Sequence, residues 1–465
     1  MAEPLWTSDE IVSATGGRLG GAAFAATGVS IDTRTLEPGD LFVALGGARD
    51  GHEFVAQALA KGAAGTLASK PVTGSAVMVE DALKALERLG EAARIRAPNA
   101  RRGAVTGSVG KTSVTQAVRA GLAIAGPAHS SVKSYNNHIG VPLTLARMPR
   151  DTARAVFEIG MNHADEITPL SRMVRPHVAL VTTVGPVHTE NFPDGEAGVA
   201  RAKAEVFAGL EPGGVAILNA DNRWFEFLKG QAQAAGAEVR SFGSGEGADA
   251  RLVDFQPDGD HAVVRARLHG DALEFPILQA GVHWGPNSMA VLLMLEALDV
   301  GLDTSLAALG SFEPLAGRGA ERQIRRPGGA FTLVDESYNA NPISMAAAIA
   351  SLGARRPAGR RIAALTDMLE LGADAARFHA ELAPALEAAG VDLVFCGGPL
   401  MKSLWDALPP TRRGGYAQTA VDLGPLVVQA VEPGDLVMVK GSNGSNAGAV
   451  AAALTALDTV SGETG

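Results

Sequence analysis

The segment that most constrains the fold runs from Ala104 to Ser113 and reads AVTGSVGKTS. An apolar run precedes it, and residues 113–123 are apolar at helical spacing, which predicts a strand, a glycine-bearing loop and a helix in that order. Such a loop turns backbone N–H groups and the positive end of a helix dipole towards one point, where they can hold a phosphate. The closing Gly110-Lys111-Thr112 is typical of a nucleotide-binding loop.

The loop is shorter than the general pattern G-x-x-x-x-G-K-[ST], which would place a glycine at position 105. Val105 stands there, within the predicted strand Gly103–Thr106, so the change need not disturb the phosphate cradle. Lys111 is expected to reach the β- and γ-phosphates of ATP, and the Thr112 hydroxyl to ligate Mg²⁺. The alternative is a plain turn between strand and helix that binds nothing. The predicted ATP contacts in this loop are Thr106, Gly107, Ser108, Val109, Gly110, Lys111, Thr112 and Ser113.

The composition indicates a globular protein of several domains. The 465 residues are 46% hydrophobic and 19% charged, which is more chain than one core accommodates and predicts two to four domains. A formal net charge of −10 argues against a nucleic-acid partner, because such proteins carry a basic face. The one cysteine, Cys396, excludes an intramolecular disulfide and a cysteine-based zinc site. No signal peptide and no apolar run of about 18 residues is visible, so we expect a cytoplasmic protein without integral membrane contact.

Alternating strand and helix patterns predict an α/β fold of three domains. Residues 1–98 form the first domain, and residues 99–312 a central P-loop-type domain with a mostly parallel sheet. After a linker near Phe312–Pro314, residues 313–465 form a Rossmann-like C-terminal domain. Within the central domain, parts of residues 236–280 alternate apolar and polar positions, which predicts antiparallel strands beside the parallel ones.

Two side chains after apolar strand patterns are candidates for holding magnesium. Glu158 ends the run Ala155–Phe157, and His188 follows Val181–Val184. Because ligands of open α/β sheets bind beyond the carboxyl ends of the strands, both are expected near the phosphate loop. The alternative for each is ordinary: a solvated glutamate at a strand end and a histidine satisfied within its loop.

Seven longer motifs follow in order along the chain. They are SYNNHIGVPLTL at 134–145, EIGMNHADEI at 158–167, GPVHTENF at 185–192, AKAEVF at 202–207, GVHWGPNSMAVLLM at 281–294, DESYNANPISM at 335–345 and DMLELG at 367–372. Together with the shortened loop, these motifs resemble those of the Mur ligases of peptidoglycan synthesis. SYNANP and DMLELG resemble the MurF branch in particular. The resemblance extends from about residue 28 to about residue 446.

The resemblance implies an ATP-dependent amide ligase that joins D-alanyl-D-alanine to UDP-N-acetylmuramoyl-tripeptide through an acyl phosphate. It implies that Thr112, Glu158 and His188 hold magnesium ions, and that Lys111 and His188 act in catalysis. A third catalytic residue is Lys203, which the resemblance implies is carbamylated by CO₂ to an anion that helps to position a second magnesium ion. Considered alone, Lys203 is more simply an exposed helix lysine.

That simpler interpretation would pair Lys203 with Glu205 or Glu196, which lie near it in the chain. Carbamylation instead requires an amine that sheds its proton, and hence a site that lowers the pKa of the lysine. Both interpretations remain open from the residues alone.

The resemblance also assigns ligand contacts in all three predicted domains. It implies that residues 1–98 bind the UDP-substrate, that residues 99–312 bind ATP, and that residues 313–465 contact both D-alanyl-D-alanine and ATP. The implied nucleotide contacts outside the loop are Asn287, on the adenine side, with Arg318 and Asp335, which would arrive when the third domain closes; Arg322 and Arg325 are rivals to Arg318. The implied substrate contacts are Ser30, Asp32, Thr33, Arg34, Asp50, Gly51, His52, Asn136, Asn137, Tyr338, Asn339 and Asn341. For the last three, the alternative is a polar turn that merely caps a helix.

Two departures and two alternative functions bear on this assignment. Asn443 and Asn446 stand where many relatives carry arginine, and His138 stands where relatives often carry glutamate. Another ligase of the superfamily, such as the diaminopimelate- or lysine-adding enzyme or folylpolyglutamate synthase, is one alternative. The diaminopimelate-adding branch is marked by D-N-P-R, whereas this chain reads Asn341-Pro342-Ile343.

We expect the protein to be a monomer.

The other alternative is a nucleotide-binding scaffold without catalysis, and a Lys111→Ala variant separates it from a ligase. We expect complementation of a strain depleted of the protein to fail with Lys111→Ala, because the variant lacks the cation aimed at the transferring phosphate. Growth at the wild-type rate, at matched protein levels, would favour the scaffold.

Overall fold

The computed structural model of the chain describes residues 4–47, 49–132, 134–258 and 261–459. Within these ranges the strands form sheets of two, five, nine and six strands, and the three larger sheets follow one another along the chain. None of the helices in the described ranges is long and apolar enough to cross a membrane.

The first part of the chain builds a small mixed sheet. Its strand order is β2-β7-β6-β5-β4, and all pairs are parallel except β2 with β7. The elements are β1 (Trp6–Thr7), α1 (Ser8–Thr15), β2 (Arg18–Gly20), β3 (Ala25–Ala26), β4 (Gly28–Ser30), β5 (Asp40–Ala44), α2 (Val55–Ala60), β6 (Gly65–Ala68), β7 (Ala76–Met78) and α3 (Ala82–Ile95), with a 3₁₀ turn at Gly51–Phe54.

The central part builds the nine-stranded sheet. The elements are β8 (Arg101–Thr106), α4 (Lys111–Ile124), β9 (Ala128–Ser130), α5 (Gly140–Ala146), β10 (Arg154–Glu158), α6 (Ile167–Val174), β11 (Val178–Val181), α7 (Glu196–Ala204), β12 (Val215–Asn219), α8 (Phe225–Ala234), β13 (Glu238–Gly243), β14 (Ala250–Asp258), β15 (His261–Leu268), β16 (Asp271–Ile277), α9 (Trp284–Ala297) and α10 (Leu302–Ser311). Its order is β16-β15-β14-β13-β12-β11-β8-β10-β9. Only the pairs β14–β15 and β15–β16 are antiparallel, which confirms the strands expected in this region.

Strand β8 lies where the direction of winding of the central sheet reverses. The chain leaves β8 for β9 and β10 on one side and then crosses to β11 on the other, and β8 pairs in parallel with both β10 and β11. The crevice beyond its carboxyl end is therefore a topological switch point, the usual ligand site of such sheets. Val105 is fully buried within β8, as predicted for the position that lacks the loop glycine.

The first two parts dock through helices α3 and α5. Asp81 accepts hydrogen bonds from the backbone of residues 83 and 84, so it caps α3 and sets where the helix begins. A Cβ at Gly90 of α3 would lie 3.0 Å from the carbonyl oxygen of Pro142, so glycine allows the two helices to approach closely. The Trp6 indole also donates to the Ala146 carbonyl at 2.8 Å, across the same junction.

The last part is a second doubly wound unit. Its strand order is β17-β18-β22-β19-β20-β21, parallel except for the edge pair β17–β18. The elements are β17 (Ala320–Arg326), β18 (Gly329–Glu336), α11 (Pro342–Ala354), β19 (Arg361–Thr366), α12 (Ala375–Ala380), α13 (Leu382–Ala388), β20 (Leu393–Gly397), α14 (Lys402–Ala407), β21 (Arg413–Ala417), α15 (Ala420–Ala430), β22 (Leu436–Lys440) and α16 (Gly448–Thr455). The three successive sheets confirm the predicted α/β class, with its mostly parallel central sheet and Rossmann-like last domain.

A partly buried histidine in β9 predicts that acid destabilises the central domain. Burial lowers the pKa of His129 to about 4 from 6.5, although its ring contacts the Thr144 carbonyl at 2.7 Å. The unfolded chain therefore binds more protons than the folded chain below pH 6.5. We expect the free energy of unfolding to fall between pH 6.5 and pH 4, on the order of 2 kcal/mol after allowance for partial exposure of the ring.

Urea unfolding at pH 7, 5.5 and 4.5 measures this effect. A His129→Gln variant keeps a donor for the carbonyl and should show a shallower fall, whereas the exposed control His138→Gln should follow the wild type. Equal slopes for wild type and His129→Gln would contradict the assignment.

Candidate active site

The loop between β8 and α4 has the backbone shape of a phosphate cradle. Gly107 and Gly110 have φ angles of 144° and 85°, which favour glycine. A Cβ at Gly107 would lie 2.0 Å from the Thr182 hydroxyl oxygen, so no larger residue fits. That hydroxyl donates to the Val109 carbonyl at 2.5 Å and ties the loop to the end of β11. Lys111 folds back so that Nζ donates to the Gly107 carbonyl at 2.7 Å.

The cradle opens into a cavity of about 280 Å³ between the central and C-terminal domains. Its lining is Ser108, Val109, Gly110, Lys111, Thr112, Ser134, Asn136, Asn137, Glu158, Gly160, Met161, Asn162, Glu166, His188, Arg318, Tyr338 and Asn339. The structure thus brings Lys111, Thr112, Glu158 and His188 together, as the positions at strand ends predicted. Asn136 and Asn137 also lie here, although Asn137 uses its side-chain oxygen to accept from the backbone of Gly140 at the start of α5.

The polar groups of this cavity fit a cation bound together with phosphate. Glu158 is buried; its Oε1 accepts from Asn136 at 2.7 Å, and its Oε2 has no hydrogen-bond partner among the described residues. The Thr112 hydroxyl lies 2.8 Å from that of Ser134. The described residues contain no cluster of three or more His, Cys, Asp and Glu side chains able to hold a metal by themselves. Mg²⁺ on a nucleotide needs only one or two protein oxygens, because phosphates and water supply the rest.

Lys203 is buried, and its amine has no partner among the described residues. Burial, and next the charge of Lys111, lower its pKa well below the ordinary value for lysine. The Glu205 carboxylate is occupied by the backbone N–H groups of residues 165, 167 and 168 at the start of α6. Glu196 accepts instead from Arg223 and from the Trp224 indole. The interpretation of Lys203 as an exposed, ion-paired lysine is therefore wrong.

The C-terminal domain contributes Arg318 to the phosphate end of the cavity. Its Nη2 donates to the Thr112 hydroxyl at 3.1 Å, and its guanidinium lies 4.2 Å from the centre of the Tyr338 ring. The rivals Arg322 and Arg325 lie on strand β17 and do not line this cavity. Of the three candidate arginines, Arg318 is therefore the one that lines the cavity.

A smaller cavity of about 130 Å³ adjoins the first, beside the start of α9. Its lining is Val109, Gly110, Ser113, His283, Asn287, Gly317, Arg318, Glu336, Asn339, Asn341, Ile343, Ser344, Ala347 and Lys440. Asn287, which the resemblance assigns to the adenine side, lies here. Asp335 is not part of either lining; its carboxylate accepts from the backbone of Ser337 at 3.0 Å.

The buried Lys440 and the largely buried Glu336 form a pair that the sequence did not single out as a site. They lie opposite each other in the parallel pair β18–β22, and Lys440 Nζ is 3.2 Å from Glu336 Oε2. Burial alone would raise the pKa of Glu336, but the charges of Lys440 and then His283 outweigh it and lower the pKa. Their shared position at the ends of neighbouring parallel strands is the signal that could have found them, as it found Glu158 and His188.

The predicted dipeptide loop divides between two roles. Tyr338 and Asn339 line the larger cavity, and Tyr338 remains 39% exposed. Asn341 caps α11 by accepting from the backbone of Ser344, in a reciprocal capping box, while it also borders the smaller cavity. The capping alternative therefore holds for Asn341 and not for its two neighbours.

The predicted uridine contacts gather at one edge of the first sheet. Ser30 ends β4 and residues 32–34 follow it, residues 50–52 come after β5, and these two strands are parallel neighbours. Lys70, which the sequence did not indicate, and next His52 hold the pKa of the Asp50 carboxyl well below its usual range. Asp32 pairs with Arg34 at 2.6 Å, and the Thr33 hydroxyl donates to Gln57 at 3.1 Å.

Those first-domain residues do not reach the phosphate cavity. None of Ser30, Asp32, Thr33, Arg34, Asp50, Gly51 and His52 lines either cavity described above. The fold therefore separates two groups of predicted contacts, one on the first sheet and one at the junction of the central and C-terminal domains.

Known proteins resemble this chain in sequence along most of its length. It matches the Mur ligase family catalytic domain over residues 25–111, the Mur ligase middle domain over 105–295, and the Mur ligase glutamate ligase domain over 322–443. The UDP-N-acetylmuramoyl-tripeptide–D-alanyl-D-alanine ligase of Escherichia coli K12 is 35% identical over 84% of this chain and 86% of the relative. The ligase of the same name from Bacillus subtilis 168 is 32% identical over 90% of each chain.

Solved structures resemble the fold as a whole. MurF from Acinetobacter baumannii has a TM-score of 0.85 at 27% identity, and the match covers 98% of this chain and 99% of that chain. A MurF ligase from Thermotoga maritima in complex with ADP has a TM-score of 0.77 at 23% identity, covering 92% and 97% of the two chains, which shows the shared fold.

The buried amine of Lys203 predicts a variant that is more stable than the wild type. Lys203→Met keeps the length of the side chain and removes the unpartnered polar group, so we expect the free energy of unfolding to rise by about 1–3 kcal/mol at pH 7. Since folding lowers the pKa of Lys203, the unfolded chain binds an extra proton below the ordinary value of 10.5, and the gain should shrink as the pH approaches that value.

Urea unfolding at pH 7 and pH 10, in buffer freed of CO₂, measures this gain. The matched control is Lys229→Met on α8, whose side chain is 38% exposed, and it should change stability little. A Lys203→Met protein no more stable than this control would refute the expectation.

Proposed function

The chain belongs to the Mur ligase family, and on that premise we propose that it is an ATP-dependent ligase that adds D-alanyl-D-alanine to UDP-N-acetylmuramoyl-tripeptide in peptidoglycan precursor synthesis. Relatives of that name align with 84–90% of its length. The observation that carries the proposal is the cavity where the phosphate loop, Glu158 and His188 of one domain face Arg318 and Tyr338 of the next. Phosphate-binding and acceptor-binding groups then meet at one place.

Ligation proceeds in two bond-forming steps. A carboxylate oxygen of the tripeptide bonds to the γ-phosphorus of ATP and ADP departs, which leaves an acyl phosphate. The amine of D-alanyl-D-alanine then bonds to the acyl carbon, loses a proton and expels phosphate, which leaves an amide. The loop amides, Lys111 and Arg318 stabilise the negative charge on the transferring phosphoryl group. Enclosure between two domains keeps water from the acyl phosphate.

Magnesium ions would be held by Thr112, Glu158 and His188. The buried Glu158 oxygen without a partner supports this assignment. When bound, the ions neutralise phosphate charge and orient the reacting groups. The carbamate on Lys203 would supply a further anionic oxygen near them. Support for the carbamate comes from the burial of that amine and its lowered pKa, because CO₂ reacts only with a neutral amine.

The adenine side of ATP belongs in the smaller cavity, beside Asn287. His283, Glu336 and Lys440 complete its walls, and the Glu336–Lys440 pair gives them fixed polar groups of both signs. Arg318 borders both cavities, which supports its assignment to the nucleotide phosphates. Asp335 lines neither cavity, so its assignment to the nucleotide requires that it act through another residue.

The remaining assignments follow the division of the chain. Residues 1–98 bind the uridine nucleotide, residues 99–312 bind ATP, and residues 313–465 contact the dipeptide and ATP. The grouping of residues 30–34 and 50–52 at one sheet edge supports the first assignment. The exposed ring of Tyr338, beside Asn339, supports the dipeptide contact. We place the enzyme in the cytoplasm, where ATP and UDP-linked precursors are made, and expect it to act as a monomer.

A reconstituted reaction tests the proposal. Purified protein with ATP, Mg²⁺, UDP-N-acetylmuramoyl-tripeptide and D-alanyl-D-alanine should yield UDP-N-acetylmuramoyl-pentapeptide, and ADP should appear in equal amount. ADP release should require both UDP-N-acetylmuramoyl-tripeptide and D-alanyl-D-alanine. L-alanyl-L-alanine is the matched control dipeptide. Mass spectrometry that finds no pentapeptide would overturn the assignment, and so would a parallel reaction in which the protein joins meso-diaminopimelate to the UDP-linked dipeptide precursor.

A further inference from the structure

We propose that Glu370 is a positioning residue for the reaction: from the C-terminal domain it fixes the tautomer and orientation of His188 in the central domain. The inference rests on the proposed function, because it takes His188 as a ligand of the nucleotide-bound cation. Glu370 belongs to the opposite domain from His188 and does not itself line the phosphate cavity, so it is an addition to the site described above.

The contact between the two side chains is short and crosses the domain boundary. His188 Nδ1 lies 2.5 Å from Glu370 Oε2, although the two groups are not aligned for a regular hydrogen bond. The His188 side chain is 20% exposed and that of Glu370 is 48% exposed, so the pair is only partly in water. The two groups therefore interact directly in this arrangement of the domains.

Both residues hold backbone conformations that are unusual for their type. His188 has a φ angle of 60° and Glu370 one of 64°, in the left-handed region that is unfavourable for a non-glycine residue. Such a conformation persists only where surrounding contacts over-determine it. On both sides of the boundary the chain is thus held so that these two side chains face each other.

The segment that presents Glu370 is anchored within its own domain. Asp367 accepts from the backbone of Met401 at 2.8 Å, and the backbone of Met368 donates to His379 at 2.9 Å. The backbone of Leu369 donates to the Ser442 hydroxyl at 3.0 Å. Three consecutive residues before Glu370 are therefore tied down, and its carboxylate is presented from a fixed support.

The residues beyond Glu370 also fit closely against the central domain. Gly372 has a φ angle of 60°, and a Cβ there would lie 3.3 Å from the Cβ of Glu190. Glu190 belongs to the 3₁₀ turn Thr189–Asn191 that begins directly after His188. The two loops thus meet at two points, and the carboxylate reaches the imidazole only when the domains are docked in this way.

The chemistry of the imidazole gives the contact its consequence. A ring nitrogen this close to a carboxylate carries the proton, because two unprotonated acceptors would repel each other. The lone pair of the neutral ring is then on Nε2, the nitrogen left free for a cation. A carboxylate held beside the outer nitrogen of a metal-binding histidine fixes the tautomer and the orientation of the ring. Docking of the C-terminal domain therefore completes the orientation of a cation ligand in the central domain.

Metal affinity, measured apart from turnover, tests the proposal. Mn²⁺ binding is followed by electron paramagnetic resonance with a non-hydrolysable ATP analogue, which needs no acceptor substrate. We expect Glu370→Ala to weaken Mn²⁺ binding by about tenfold to hundredfold, the usual effect of removing such a partner. Glu370→Gln, which keeps one acceptor oxygen, should lose less. The control is Asp374→Asn, a carboxylate in the same loop that pairs with Arg377, and it should match the wild type.

A double-variant cycle separates positioning from a simple docking contact. If Glu370 acts through His188, then adding Glu370→Ala to a His188→Ala protein should produce no further loss of Mn²⁺ affinity. Unchanged Mn²⁺ affinity in Glu370→Ala, or an equal loss in both backgrounds, would overturn the proposal. The wild-type ligation assay reports separately on the proposed function, since pentapeptide synthesis by the wild type does not depend on how these variants bind Mn²⁺.

Discussion

Buried polar groups that lack partners in the described part of the chain, the Lys203 amine on α7 and one oxygen of Glu158 at the end of β10, are the constraint on which the rest of the structure depends. Lys203 is buried without a partner among the described residues, and the charge of Lys111 lowers its pKa further. Glu158, at the end of β10, keeps one buried oxygen without a donor. Such groups cost stability in a folded chain unless ligands complete them. The proposed binding of phosphate and cations at this place would supply the partners that the described residues themselves do not provide.

The C-terminal domain completes this site from outside. Arg318 reaches the Thr112 hydroxyl, and the Glu336–Lys440 pair forms one wall of the smaller cavity. Because each cavity has walls from two domains, ligands that bind there favour the docked arrangement, and docking in turn raises their affinity. This coupling between ligand binding and domain docking depends on single side chains at strand ends. A small change in the orientation of the domains therefore alters which of these polar groups meet.

Local rules of sequence predicted the parts of the site that depend on one strand and the loop after it. The shortened loop, Glu158 and His188 were found because parallel strands present their carboxyl ends at one edge of a sheet. Lys203 shows where local rules fail: Glu205 lies near it in the chain, yet its carboxylate caps α6 instead. Similarly, only the fold distinguishes Arg318 from Arg322, because both lie near the start of the same domain in sequence.

The sequence by itself determined the α/β class, the phosphate loop and the family, since these depend on short patterns of apolar spacing, glycine and charge. Tertiary structure alone decided which polar groups remain without partners and which meet across domains. The buried amine of Lys203 and the contact of His188 with Glu370 are of this kind. Their burial and partners are set by the packing of elements distant in the chain, and no local pattern encodes that packing.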